Sequence, residues 1–175
     1  MKNLFEIKLN EDAQGLLCVS LVNEPAIEEY FDKFSKLQRL FFNEEKRIVK
    51  GVALIPNMVI DRGDYDVFFS KDTIAQLVEK YSKENKLNLI DIEHDGKITD
   101  KDAVCIESYI TSEDSPYKDF PAGCWIVAFK IYNDDICQQI KDKYLRGFSV
   151  DVEGTLQQAE RQDNFDNWID ELLCI

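Results

Sequence analysis

What most constrains this chain is a strand pattern that keeps returning. Short runs of β-branched and apolar residues alternate with polar ones and break at glycine, proline or acidic turns. Phe5, Ile7 and Leu9 share one face of the first run. GLLCVSLVNEP, from Gly15 to Pro25, is the second, and KRIVKGVALIPN, from Lys46 to Asn57, is the third. Further strands are predicted over Leu87–His94, Ala103–Ile110, Cys124–Ile131 and Phe148–Glu153. Such runs must pair into sheets, because an isolated strand leaves its backbone donors and acceptors unmatched.

Helical periodicity is rarer. In SKDTIAQLVEKYSKEN, Ser70 is placed to cap, Asp72 falls in the first turn, and Ile74, Leu77, Val78 and Tyr81 form a stripe. In NDDICQQIKDKYLRG, Asn133 caps, Ile136, Ile140 and Tyr144 form the stripe, and Gly147 is read as the stop. EPAIEEYFDKF reads as a helix start or turn. After Gly154, Phe165, Trp168, Ile169, Leu172 and Leu173 recur at helical spacing. This predicts a main domain over 1–154 and an amphipathic tail helix over 155–175, packed on or extending that domain, with partner docking as the alternative. The predicted class is α+β: a small, mostly antiparallel β-barrel or sheet wrapped by several helices.

Composition narrows the function. The 175 residues suffice for one core without staples. A net charge of −13 repels phosphates, so no nucleic-acid partner is expected. The densest basic patch, KDKYLR, suits a helix C-terminus. With no long apolar run and no leader pattern, neither membrane insertion nor secretion is expected. Cys18, Cys105, Cys124, Cys137 and Cys174 are scattered and odd in number, with no C-x-x-C spacing. That predicts free thiols in a reducing compartment, and neither a disulfide framework, a zinc site nor a cofactor.

The segment DIEHDGKITDKD, Asp91 to Asp102, fits a twelve-residue calcium loop in its acids and in Gly96. Its flanks, NLIDI and AVCIESYI, alternate like strands where a calcium hand needs helices. A calcium-binding module at 91–102 is one reading, and an acidic hairpin turn is the other.

The only histidine, His94, lies in this segment, and GFSVDVEG sets Ser149, Asp151 and Glu153 opposite Phe148, Val150 and Val152. By spacing alone a serine and a histidine need not meet. The wording of several segments adds to this: CVSLVNEPAIEEYF, VKGVALIPNMVIDRGDYDVFFSKDTI, IEHDG, CIESYI, GCWIVAFKI and LRGFSVDVEG, in that order. From Leu16 to Gly154 the chain resembles the phage prohead (capsid-maturation) serine proteases, most of all those of the XkdF type. The resemblance implies a herpesvirus-assemblin-like fold and a serine endopeptidase. It implies Ser149 as nucleophile and His94 as general base, since a serine hydroxyl needs a neutral imidazole to take its proton. The herpesvirus relatives use a second histidine as third member, which this chain lacks. Glu107 in CIESYI is the expected orienting acid, with Asp95, Asp151 or a bare dyad as the alternatives. The resemblance further implies scaffold and major capsid protein as substrates, self-cleavage, a homodimer, and a place in the host cytoplasm within the assembling procapsid. An inactive structural relative with the same fold is the competing reading.

Overall fold

The computed structural model describes residues 2–25, 40–118 and 120–160. Strands β1 (Asn3–Lys8), β2 (Gly15–Val22), β3 (Leu40–Asn43), β4 (Ile48–Leu54), β5 (Ile60–Asp61) and β6 (Tyr65–Phe68) precede helix α1 (Lys71–Lys83). Strands β7 (Ile90–Ile92), β8 (Gly96–Lys97), β9 (Ala103–Ile110) and β10 (Trp125–Ile131) follow, then helix α2 (Asp134–Lys141), β11 (Gly147–Glu153) and β12 (Thr155–Ala159).

The strands form three four-stranded sheets, ordered β12-β1-β6-β5, β3-β4-β10-β9 and β11-β2-β7-β8. Most pairs are antiparallel, but β1–β6 and β2–β7 are parallel. The α+β class therefore stands, while the closed barrel does not form. The edge strands β5 and β8 are two residues long, too short to carry a ladder round to a closing partner. The described residues hold two helices, fewer than a wrapped barrel would need.

The core lies between the sheets and α1. Trp125, Phe129 and Ile131 of β10, Leu16, Val19 and Leu21 of β2, and Val49 and Val52 of β4 are buried in it. The α1 stripe predicted from the sequence packs there, with Ser70 accepting from Thr73 N as its cap. Tyr81 meets Trp125 edge-on at 6.0 Å and donates its hydroxyl to the Leu89 carbonyl at 2.8 Å. A buried tyrosine thus gains packing area without leaving its O–H unpaired.

Other expectations shift. Helix α2 stops at Lys141, short of Gly147. Lys143 takes the left-handed position (φ 57°), and the amides of Tyr144 and Leu145 both return to Gln139 O. This early turn leaves Tyr144 exposed, buries Leu145, and frees Gly147 to begin β11. The strand expected over Leu87–His94 is confined to Ile90–Ile92, because turns close at both ends. Thr155–Ala159, expected as the start of the tail helix, is strand β12, paired antiparallel with β1. The apolar spacing of the tail falls on 161–175 and most of EPAIEEYFDKF on 26–34, both outside the described residues. The calcium-loop reading of 91–102 is not met. Asp91–Lys97 and Ile92–Gly96 pair across a β-hairpin, and strand β9 follows where a helix would be required.

Candidate active site

Strands β11, β2 and β7 lie side by side. Ser149 pairs with Ser20 and Ser20 with Asp91, so the three make one row across the sheet. Asp151 pairs with Cys18 in the next row. Directly paired residues point to the same face of a sheet. Ser149, Asp151, Cys18, Ser20 and Asp91 therefore share one face, and Phe148, Val19, Leu21 and Ile90 turn the other into the core.

His94 comes from the tight turn joining β7 to β8. Glu93 and His94 both have left-handed backbone angles, φ 54° and 59°. Residues with a Cβ avoid this region, so the turn must be held from outside. It is: Glu93 N donates to Leu21 O at 3.0 Å, and Glu93 Oε1 accepts from Asn23 N at 2.7 Å. Asn23 is fixed in turn by Arg146 Nε, which donates to its carbonyl at 2.9 Å and its Oδ1 at 3.0 Å. Gly147 completes this corner, since a Cβ there would lie 2.6 Å from Pro25 Cγ.

The imidazole is thereby aimed back over the sheet. His94 Nδ1 lies 2.9 Å from Ser20 Oγ and 3.1 Å from Asp151 Oδ2. Both partners engage the same ring nitrogen, which leaves Nε2 uncommitted among the described residues. Ser20 is fully buried and cannot reach a peptide, so its hydroxyl serves to position the ring. Cys18 Sγ donates to Asp91 Oδ2 at 3.5 Å and to Asp151 Oδ2 at 3.4 Å. Burial, with Asp91 and Asp151 adding to it, pushes the Cys18 thiol up to about 12, which removes it as a nucleophile at neutral pH. Ser149 is half-buried at the edge of an apolar recess lined by Ile55, Met58, Phe69, Phe148 and Val150. It makes no hydrogen bond to His94 among the described residues.

The expected third member lies elsewhere. Glu107 sits on β9 in another sheet, 2.5 Å from Lys50 Nζ and accepting from the Tyr117 hydroxyl. Burial raises its carboxyl, but the Lys50 and Tyr117 contacts outweigh that and hold it below its ordinary value. Asp95 is exposed in the hairpin turn. The acid that the fold brings to His94 is Asp151. Ser20 escaped sequence reasoning altogether. Its one signal is a lone hydroxyl within CVSLV, on a strand buried on both faces, where a polar group needs a partner.

His94 thus has one ring nitrogen engaged by a carboxylate and a hydroxyl, and Ser149 lies in the same sheet with β2 between β11 and β7. Residues 36–158 match the family described as "Putative phage serine protease XkdF", and the chain belongs to that family. No curated protein and no solved structure matches the chain. The matched range includes His94, Glu107, Ser149 and Asp151 but not β2, which carries Cys18 and Ser20. Among the described residues, no helix is long and apolar enough to cross a membrane.

Proposed function

We propose that the chain is a serine endopeptidase in which Ser149 is the nucleophile, His94 the general base and Asp151 the orienting acid. The observation that carries this reading is the double engagement of His94 Nδ1 by Asp151 and Ser20. A proton on Nδ1 is shared between them, so the lone pair stays on Nε2. Ser149 Oγ bonds to the peptide carbonyl carbon as its proton passes to Nε2. The C–N bond then breaks, and the imidazolium returns that proton to the leaving amine. Water repeats the sequence on the acyl-enzyme. Asp151 stabilises the transient imidazolium, and Ser20 keeps the ring from turning away. Closure of Ser149 onto Nε2 accompanies substrate binding, as catalytic hydrogen bonds are often long in the free enzyme.

The substrates in this reading are scaffold and major capsid protein segments, and the chain itself, cut inside the procapsid. The family membership supports this phage setting. The absent Ser149–His94 hydrogen bond favours one rival, a non-cutting assembly protein with the same fold. Co-expression with the capsid and scaffold proteins, read by intact mass, decides between them. Cleavage that is lost in both Ser149→Ala and His94→Ala supports the protease. Equal patterns in all three proteins support the rival.

A further inference from the structure

The face that carries the base holds a second constellation. Cys18 Sγ, an Asp91 carboxylate oxygen, His94 Nδ1 and an Asp151 carboxylate oxygen all lie within 4.8 Å of one another. We propose that these four residues bind a divalent transition-metal ion of the zinc class, and that the bound ion silences Ser149. The silencing, though not the binding, rests on the protease reading above.

Three observations carry the site. The first is size. A tetrahedral zinc with bonds of about 2.0–2.3 Å sets its ligand atoms roughly 3.3–3.7 Å apart. The shortest spacings here are 3.1 Å (Nδ1 to Asp151 Oδ2), 3.4 Å (Sγ to Asp151 Oδ2) and 3.5 Å (Sγ to Asp91 Oδ2). The remaining pairs lie within 4.8 Å, so the side chains must draw in by about 1 Å to reach the coordination distances. The second is donor type. A sulfur, an imidazole nitrogen and carboxylate oxygens suit zinc or cobalt, whereas calcium and magnesium require an all-oxygen shell. The third is an unmet need. Asp91 is 5 % exposed, and its Oδ1 is the buried side-chain oxygen that finds no hydrogen-bond partner among the described residues. A buried carboxylate with an unused oxygen calls for a cation. The thiol hydrogen of Cys18, held between two carboxylates, occupies the place such a cation would take. Binding releases that proton to solvent. The route in is open, since the side chains of His94 and Asp151 are 35 % and 47 % exposed while Cys18 and Asp91 form the floor.

The consequence for catalysis follows from the two ring nitrogens. An imidazole that ligates through Nδ1 as a neutral group carries its proton on Nε2. The lone pair facing Ser149 is then gone, and Asp151 is drawn to the ion. Removing the ion restores both.

Cobalt(II) titrated into the full-length Ser149→Ala protein tests binding without relying on activity. One equivalent is expected, with a thiolate-to-cobalt charge-transfer band that zinc abolishes by competition. Cys18→Ser should lose the band, and Asp91→Asn should weaken binding by more than about tenfold. A band that persists in Cys18→Ser, or affinity unchanged in Asp91→Asn, overturns the site. The silencing is read on the wild type by fluorophosphonate labelling of Ser149, with zinc and after chelation. A rate that falls with zinc and recovers on chelation supports it. A rate indifferent to bound zinc overturns the silencing but leaves the site. Cobalt binding in a protein that never labels, even after chelation, refutes the protease reading alone.

Discussion

Replacing Asp151 by asparagine tests the assignment most directly, because it keeps the shape of the side chain and removes its charge. Asp151 Oδ2 lies 3.1 Å from His94 Nδ1. At that separation the attraction between a carboxylate and an imidazolium is about 1.3 kcal/mol in water and about 5 kcal/mol at an effective dielectric constant of 20. The two side chains are 47 % and 35 % exposed, which places the pair in the lower half of that interval. A loss of about 2–3 kcal/mol corresponds to a rate roughly 30- to 150-fold lower. A fully enclosed orienting aspartate is worth about 10⁴-fold, so solvent access at Asp151 sets the smaller figure. The assay is the second-order rate of labelling by a fluorophosphonate. In the proposed mechanism Ser149 Oγ bonds to phosphorus, fluoride leaves and His94 takes the proton, so no natural substrate is needed. Intact mass counts one adduct, and circular dichroism checks that the variant folds. Glu107→Gln serves as the control and should label at the wild-type rate, since its partners are Lys50 and Tyr117. Full-rate labelling of Asp151→Asn, with slowed labelling of Glu107→Gln, would refute the reasoning and return the acid's role to Glu107.

Other outcomes follow from the same geometry. Ser20→Ala removes one of the two restraints on Nδ1 and should slow labelling about 2- to 10-fold, the worth of one hydrogen bond; a larger loss than in Asp151→Asn would make Ser20 the chief restraint. Gly147→Ala forces a methyl against the Pro25 ring and should lower stability by about 1–3 kcal/mol, seen as a drop in the urea midpoint. The thiol of Cys124, fully buried, is pushed up to about 12 by burial. Because the unfolded chain gives up that proton first, stability should fall as pH rises from about 9 towards 12, and less steeply in Cys124→Ala. Urea midpoints measured between pH 8 and 11 check this, and equal slopes in the two proteins would exclude a role for Cys124.

Legibility in the sequence followed locality. Helix α1 was readable because its cap, first-turn acid and stripe all fall within one segment, from Ser70 to Tyr81. Strand β9 matches its predicted span, because Ala103–Ile110 is β-branched and bounded by polar turns. Two- and four-residue strands such as β5, β8 and β3 are too short to show a period. The end of α2 was misread because glycine is the commonest left-handed residue at a helix end, and here Lys143 takes that position. The site was partly legible. His94 and Ser149 stood out by rarity and family wording, whereas the contacts to His94 depend on which strands become neighbours. Along the chain Glu107 is the expected acid and Asp151 a rival. The choice between them is made by β2, which joins β11 to β7 and leaves β9 in a different sheet.

That middle strand also imposes an order of events during synthesis. β2 leaves the ribosome well before its neighbours, which are β7, around Ile90, and β11, around Val150. Its pairing edges therefore wait for segments far along the chain. The β2–β11 ladder, which brings Asp151 across to His94, cannot close until the residues around Val150 have emerged. The contacts that hold His94 are thus completed only when β11 docks on β2, late in folding.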